Sequence, residues 1–171
     1  MLLLPFSPNI PSASALLPQM VGWQMADAVI DGYPEYATEP RELEAQQRSA
    51  LFRLAQAIVD SHSTGRRPVQ AIVVIGHADK ALRKAPNERA AFELKISGDR
   101  AESARKLLLS EVRRLAFEAH YSKVMLCVAT GLGNLRPVIA NAANEAQMRK
   151  NRRVEVFLLE RQLPPVRCAV R

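Results

Sequence analysis

The chain has 171 residues, the size of one domain with short tails. Its hydrophobic fraction of 48% is typical of a globular protein, and no run of about 18 apolar residues predicts a transmembrane helix. A formal net charge of +7 favours anionic partners such as nucleic acid, anionic lipid or an anionic polymer, without choosing among them. Aromatic residues make up 5% of the chain, too few for a platform that stacks single-stranded nucleic acid.

The ends of the chain differ in composition from its centre. Residues 1–26 are rich in Pro and Ser and predict an irregular extension. No Lys or Arg precedes Arg41, so no convincing secretory signal is present. We expect residues 27–161 to form the domain and residues 162–171 to form a tail without regular structure.

The first half of the domain predicts two strands with a helix between them. Residues 28–30 favour a short strand, and a helix is expected to begin near Pro40 and Arg41. Its apolar face consists of residues at helical spacing, namely Leu43, Leu51, Leu54 and Ile58. Residues 69–75 are apolar except for Gln70, which is typical of a strand buried on both faces.

The second half continues the alternation of strands and helices. A turn is expected at Pro86-Asn87, and a long amphipathic helix is expected to start at Ser97 or Asp99. Strands are predicted at residues 123–130 and 154–159, with a short helix at 137–149. The predicted fold is therefore an α/β two-layer sandwich, β-α-β-α-β-(α)-β, with the helices packed on one face of a mixed sheet.

Local chemistry gives little support for an enzyme. His77 and Asp79 follow the strand at 69–75, but no third residue has metal-ligand spacing, and no cofactor motif is present. Cys127 lies in an apolar run typical of a buried thiol, and its pairing with Cys168 is not favoured. A catalytic His–Asp pair therefore has no evident nucleophile, and we predict a non-enzymatic protein without a bound metal or cofactor.

Five short motifs follow one another between residues 75 and 156. They are Ile-Gly-His-Ala-Asp at 75–79, an asparagine at position 87, Ile-Ser-x-x-Arg-Ala at 96–101, Gly-x-Gly-x-x-x-Pro-x-x-x-Asn at 131–141, and Asn-Arg-Arg-Val-Glu-Val at 151–156. Together they resemble the ordered motifs of the OmpA-like peptidoglycan-binding domain. Two departures are that Ala78 replaces the family's threonine, and that more residues separate Asn87 from Ser97 than in many members.

The resemblance implies a pocket for the peptide stem of peptidoglycan, centred on meso-diaminopimelate. Asp79 would bind the ligand ammonium and Arg100 its carboxylate, because an amino-acid end needs one acceptor and one planar donor fork. Asn87 and Arg152 would also line the site. The resemblance gives supporting positions to four further residues, namely His77, Ala78, Asn141 and Asn151.

Several alternatives stay open at this point. Asp79 and Arg100 can also form a purely structural ion pair, and Arg152 and Arg153 a solvated strand edge, with only one of the two facing the helices. The resemblance implies the periplasmic side of a Gram-negative envelope, in association with the outer membrane, whereas the missing signal leaves a cytoplasmic location open. A degenerate OmpA-like fold that binds nucleic acid or protein through its basic charge is the alternative function, and an enzyme that uses His77 is a third. The oligomeric state is not predicted.

Overall fold

The computed structural model describes residues 26–63, 68–118 and 126–160. Within these ranges the four strands are Ala28–Ile30 (β1), Val69–Gly76 (β2), Leu126–Gly131 (β3) and Val154–Glu160 (β4). The three α-helices are Ala45–Ser63 (α1), Pro86–Glu118 (α2) and Glu145–Asn151 (α3), and a 3-10 turn, Pro40–Glu42, precedes α1. None of the helices within the described ranges combines the length and apolar character needed to span a bilayer.

The strands form one mixed sheet in the order β1-β4-β2-β3. Strand β4 runs antiparallel to β1 and β2, while β2 and β3 are parallel and are joined through α2. Gly76 at the end of β2 pairs with Gly131 at the end of β3 and with Val154 at the start of β4. The end of β2 therefore meets both neighbouring strands at one edge of the sheet, which is where the polar residues after β2 emerge.

Helices α1 and α2 pack on one face of this sheet, as the alternation of strands and helices predicted. Ile72 and Val74 belong to the main core with α1 and α2, whereas Val73 and Ile75 pack with Phe157 in a second cluster. Successive side chains of a strand point to opposite faces, so β2 is buried on both sides. The predicted α/β two-layer sandwich is confirmed.

Helix α2 differs from the prediction, because it begins at Pro86 and not at Ser97 or Asp99. Proline is favoured in the first helical turn, and no proline or glycine interrupts the chain between Pro86 and Gly98. Ser97 is therefore not a cap. It lies within the helical segment, and its hydroxyl donates to the Leu94 carbonyl and accepts from the Gly133 amide, each at 2.8 Å.

Two other helix boundaries also differ from the prediction. The helix predicted to begin near Pro40 starts as the 3-10 turn and becomes α-helical only at Ala45. The predicted helix at 137–149 is confined to Glu145–Asn151, because Asn144 caps it by accepting the Gln147 amide at 3.0 Å.

Some predictions fall on residues that the structure does not describe. The start of the strand predicted at 123–130, residues 1–25, the tail at 162–171 and Cys168 lie outside the described residues. Cys127 lies in β3 and is partly buried, and burial raises the pKa of its thiol to about 11.

Candidate functional site

A pair of glycines lets α2 approach the ends of β2 and β3. A Cβ placed on Gly76 would lie 1.8 Å from the Ser97 carbonyl oxygen. A Cβ on Gly131 would lie 2.4 Å from both the Ser97 hydroxyl and the Gly98 amide nitrogen. The middle of α2 therefore rests on the sheet edge at a distance that only glycine permits.

The backbone that follows β2 is held on both sides. The His77 amide donates to the Arg153 carbonyl and the Ala78 amide to the Gly133 carbonyl, each at 2.8 Å. Both residues are buried. These two bonds tie the chain to the segments beside β4 and β3, and they fix the position at which Asp79 leaves the sheet.

Asp79 lies at the wall of a cavity of about 270 Å³. The other lining residues come from the segment after Asp79 and from residues 134–151, namely Lys80, Leu82, Asn134, Ala140, Asn141, Ala142, Ala143, Met148 and Asn151. Burial raises the pKa of the Asp79 carboxyl, and the charges of Arg152 and, more weakly, Arg100 oppose that effect. The cavity is slightly smaller than typical small-molecule pockets, which start at about 300 Å³, and its size suits one end of an amino acid.

Arg152 is the cation that faces Asp79. Its Nη1 lies 3.6 Å from the Asp79 Oδ2, and its Nη2 pairs with the Glu145 carboxylate at the start of α3. The side chain is fully buried, yet its Nε and Nη1 have no hydrogen-bond acceptor. Arg152 is thus held between two carboxylates and keeps donor capacity for a further anion.

Arg153 points to a different set of partners. It pairs with the Glu155 carboxylate at 2.7 Å and donates to the Arg136 carbonyl at 3.0 Å. Of the two arginines, Arg152 is therefore the one that pairs with Asp79. Both arginines are buried, and the alternative of a solvated strand edge is therefore wrong.

Arg100 is fully buried. Its Nε donates to the Ala37 carbonyl at 2.8 Å, its Nη1 donates to the His77 carbonyl at 3.0 Å, and the guanidinium lies 5.4 Å from the centre of the Tyr33 ring. Burial lowers the pKa of Arg100 to about 10, so it stays charged at neutral pH. Its Nη2 is buried without an acceptor. Asp79 therefore faces Arg152, and Arg100 influences the same carboxylate from a greater distance.

His77 is buried below the cavity and does not line it. Its Nε2 lies 3.2 Å from the Glu155 Oε2, and its side chain is 1% exposed. Burial alone would raise the pKa of Glu155, but the hydrogen bonds and charges of His77 and Arg153 outweigh it and lower that pKa to about 2. Across the three described ranges, no three His, Cys, Asp or Glu side chains cluster closely enough to hold a metal ion.

The remaining residues named from the sequence divide into two groups. Asn141 and Asn151 line the cavity, and the Asn151 side chain also bonds both backbone groups of Ile139 at 2.9 Å. Ala78 is buried behind the cavity wall, and Asn87 is exposed in the first turn of α2, away from the lining. Sequence reasoning missed Glu145, although its spacing of seven residues from Arg152 places both on one face across two helical turns.

Comparison with known proteins gives structural matches only. No protein-family model and no curated protein sequence matches the chain. The peptidoglycan-associated lipoprotein from Burkholderia pseudomallei is 21% identical, with 77% of this chain and 89% of that chain covered and a TM-score of 0.50. The cell wall anchor of the T6SS from Pseudomonas aeruginosa is 21% identical, with 77% and 80% covered and a TM-score of 0.50.

The C-terminal domain of Helicobacter pylori MotB is 17% identical, with 79% of this chain and 87% of that chain covered and a TM-score of 0.55. At these identities the likeness concerns the fold. The element order and the sheet topology agree with the fold expected from the five motifs. The described part of this chain therefore has the OmpA-like fold.

Proposed function

We propose that this chain is a non-catalytic module that binds peptidoglycan and recognises the diaminopimelate-containing peptide stem at the Asp79 cavity. The observation that carries the proposal is the charge arrangement beside the cavity. A half-buried carboxylate stands next to Arg152, and Arg100 lies behind it, each guanidinium with at least one buried N–H group that has no acceptor. Unsatisfied buried donors are unfavourable by about 1–3 kcal/mol each, so an anion that accepts from them gains affinity.

Different residues would bind the two charged groups of an amino-acid end. The ligand ammonium would sit against Asp79, where its charge compensates the burial that disfavours the carboxylate. The ligand carboxylate would accept from Arg152 and Arg100. Glu145 is 56% exposed and pairs with Arg152 in the absence of a ligand, so a bound carboxylate would displace it at small energetic cost.

The fold supports this assignment. Two of the similar structures are named as a peptidoglycan-associated lipoprotein and a cell wall anchor. Such a module would tether an envelope component to the wall, which requires a location on the periplasmic side. An enzyme that uses His77 as a base is not supported, because the imidazole is buried away from solvent.

The test is retention on purified sacculi near physiological salt, where basic charge alone is partly screened. Asp79→Asn removes one negative charge at the cavity, and Asp60→Asn removes one from the exposed end of α1 as a matched control. We expect Asp79→Asn to lower retention by about tenfold or more. The control should bind like the wild type. Equal retention of all three proteins would contradict a specific pocket.

The net charge of +7 supports a second candidate function, a basic module that binds nucleic acid or a protein. Titration with a short DNA duplex at several salt concentrations separates it from the first. Binding that weakens steeply with salt and is the same in the wild type and Asp79→Asn would favour this candidate. Weak DNA binding together with strong sacculus binding would exclude it.

A further inference from the structure

A second and larger cavity lies beside the first. Its volume is about 510 Å³, and it is lined by residues of the 31–39 segment, the 79–84 loop and the first four turns of α2. These residues are Tyr36, Thr38, Arg83, Lys84, Phe92, Lys95, Ile96 and Asp99. The segment between Asn87 and Ser97, which is longer than in many OmpA-like domains, therefore forms a wall of this cavity and does not cover the Asp79 cavity.

The same helical segment fixes the loop that separates the two cavities. The buried Glu93 carboxylate accepts the Ala81 amide at 2.7 Å. Arg89 donates to the carbonyls of Lys84 at 3.0 Å and of Leu82 at 3.3 Å. Loop residues Lys80 and Leu82 line the first cavity, and Arg83 and Lys84 line the second, so this loop borders both cavities.

The walls of the second cavity combine aromatic and cationic groups. Tyr36 packs edge-on against Phe92 with the ring centres 5.5 Å apart, and the Lys84 Nζ lies 4.8 Å from the centre of the Phe92 ring. The ion pairs that Arg83 and Lys95 make are exposed and exchange readily for a ligand carboxylate. This lining suits a peptide that carries carboxylates on a partly apolar chain.

Tyr36 also has an unusual backbone. Its φ of 62° lies in the left-handed region, and it is the non-glycine residue with positive φ among the described residues. Such a conformation is unfavourable by about 1–3 kcal/mol and is concentrated at ligand-binding sites. Tyr36 lines the cavity and is 43% exposed.

From these observations we propose that the Tyr36–Phe92 cavity, across the 79–84 loop from the Asp79 cavity, is a second subsite for the carboxylate-bearing part of the peptide that precedes the diaminopimelate. The proposal rests on the proposed function and adds the length and charge of the ligand to it. Arg83 and Lys84 bind the additional carboxylate, and Tyr36 and Phe92 contact the peptide backbone and its apolar groups. Ligand recognition therefore extends over the 79–84 loop.

Calorimetric titration with two probes tests the subsite. The probes are free meso-diaminopimelate, which fills only the Asp79 cavity, and the tripeptide L-alanyl-γ-D-glutamyl-meso-diaminopimelate. We expect the wild type to bind the tripeptide about tenfold or more tightly than the free diamino acid. The double variant Arg83→Gln/Lys84→Gln should lose that advantage and keep the affinity for free diaminopimelate, which also reports that it is folded.

The matched control is Lys106→Gln/Arg113→Gln, which removes the same charge from exposed positions farther along α2 and should retain the advantage. Tyr36→Asn removes the ring and keeps a residue that tolerates positive φ, and it should weaken only tripeptide binding. An advantage that survives in Arg83→Gln/Lys84→Gln, or is absent in the wild type, overturns the subsite and leaves the proposed function standing. If the wild type binds neither probe, the proposed function fails and the subsite fails with it.

Discussion

The two cavities on either side of the 79–84 loop are held in different ways. The Asp79 cavity is anchored by buried backbone contacts of the sheet, where Gly76 and Gly131 meet α2 and the amides of His77 and Ala78 are bonded to neighbouring segments. The Tyr36–Phe92 cavity is built from side chains of the 31–39 segment, the 79–84 loop and α2, and many of them are exposed.

This difference predicts which substitutions destabilise the whole protein and which have only local effects. Substitutions beneath the Asp79 cavity disturb the packing of the whole sheet edge, and their effects appear as lost stability. Substitutions around Tyr36 disturb a few side-chain contacts, and their effects are confined to one surface. The following predictions, from the largest effect to the smallest, test that contrast.

Gly76→Ala should destabilise the protein by more than about 4 kcal/mol or prevent folding, because the new methyl would overlap backbone atoms of Ser97. Gly98→Ala is the matched control, since a Cβ there meets nothing within 4 Å. The control should gain about 1 kcal/mol from the better helix propensity of alanine. Urea denaturation measures both. Similar stabilities of the two variants would contradict the close contact between α2 and β2.

Glu155→Gln tests the ion pairs of Glu155 with His77 and Arg153 through the pH dependence of stability. The pKa of Glu155 is lowered from 4.5 to about 2, so its contribution is present above pH 4.5 and is lost as pH falls through about 2. The variant should be less stable at pH 7 by at most about 3 kcal/mol. The difference between variant and wild type should shrink below pH 4.5 in denaturation curves. A difference that is constant with pH would exclude a role for the Glu155 charge.

Glu93→Ala concerns the contact that holds the loop between the cavities. The substitution leaves the buried Ala81 amide without an acceptor, which is expected to destabilise by about 1–3 kcal/mol. Glu93→Gln keeps an acceptor oxygen and should lose less. Amide hydrogen exchange at Ala81 should rise sharply in the alanine variant only. Equal exchange in both variants would show that the loop is held by other contacts.

Substitutions of Tyr36, at the more exposed of the two cavities, should have the smallest effect on stability. Tyr36→Gly and Tyr36→Ala both remove the ring, but only glycine adopts the φ of 62° freely. The glycine variant should therefore be more stable than the alanine variant by about 1 kcal/mol in thermal or urea denaturation. An alanine variant of equal or greater stability would mean that the backbone at this position relaxes at no cost.

The sequence predicted the core of the fold because its signals are local. The apolar run at 69–75 and the helical spacing of Leu51, Leu54 and Ile58 needed no knowledge of distant residues. Helix boundaries were less accurate. Ser97 has the chemistry of a cap, yet the proline at 86 starts the helix earlier, and Ser97 then bonds the Gly133 amide, 36 positions along the chain.

The sequence predicted which residues belong to the site better than it predicted which of them contact one another. Asp79, Arg100 and Arg152 were named from motifs, but partners depend on which surfaces meet. Arg100 bonds the Ala37 carbonyl, 63 positions away, and it leaves Arg152 as the cation that faces Asp79. Periodicity cannot reveal such a choice, because a guanidinium donates to any nearby oxygen.

By itself the sequence determined the alternation of strands and helices, the buried strand that ends at Gly76, and the set of charged residues that follow it. These properties depend on hydrophobic periodicity and on residues close together in the chain. Only the tertiary structure decided that Glu145 pairs with Arg152, that His77 is buried, and that residues 86–96 form one wall of a second cavity. Each of those outcomes depends on distances between segments that are far apart in the chain, and packing alone sets such distances.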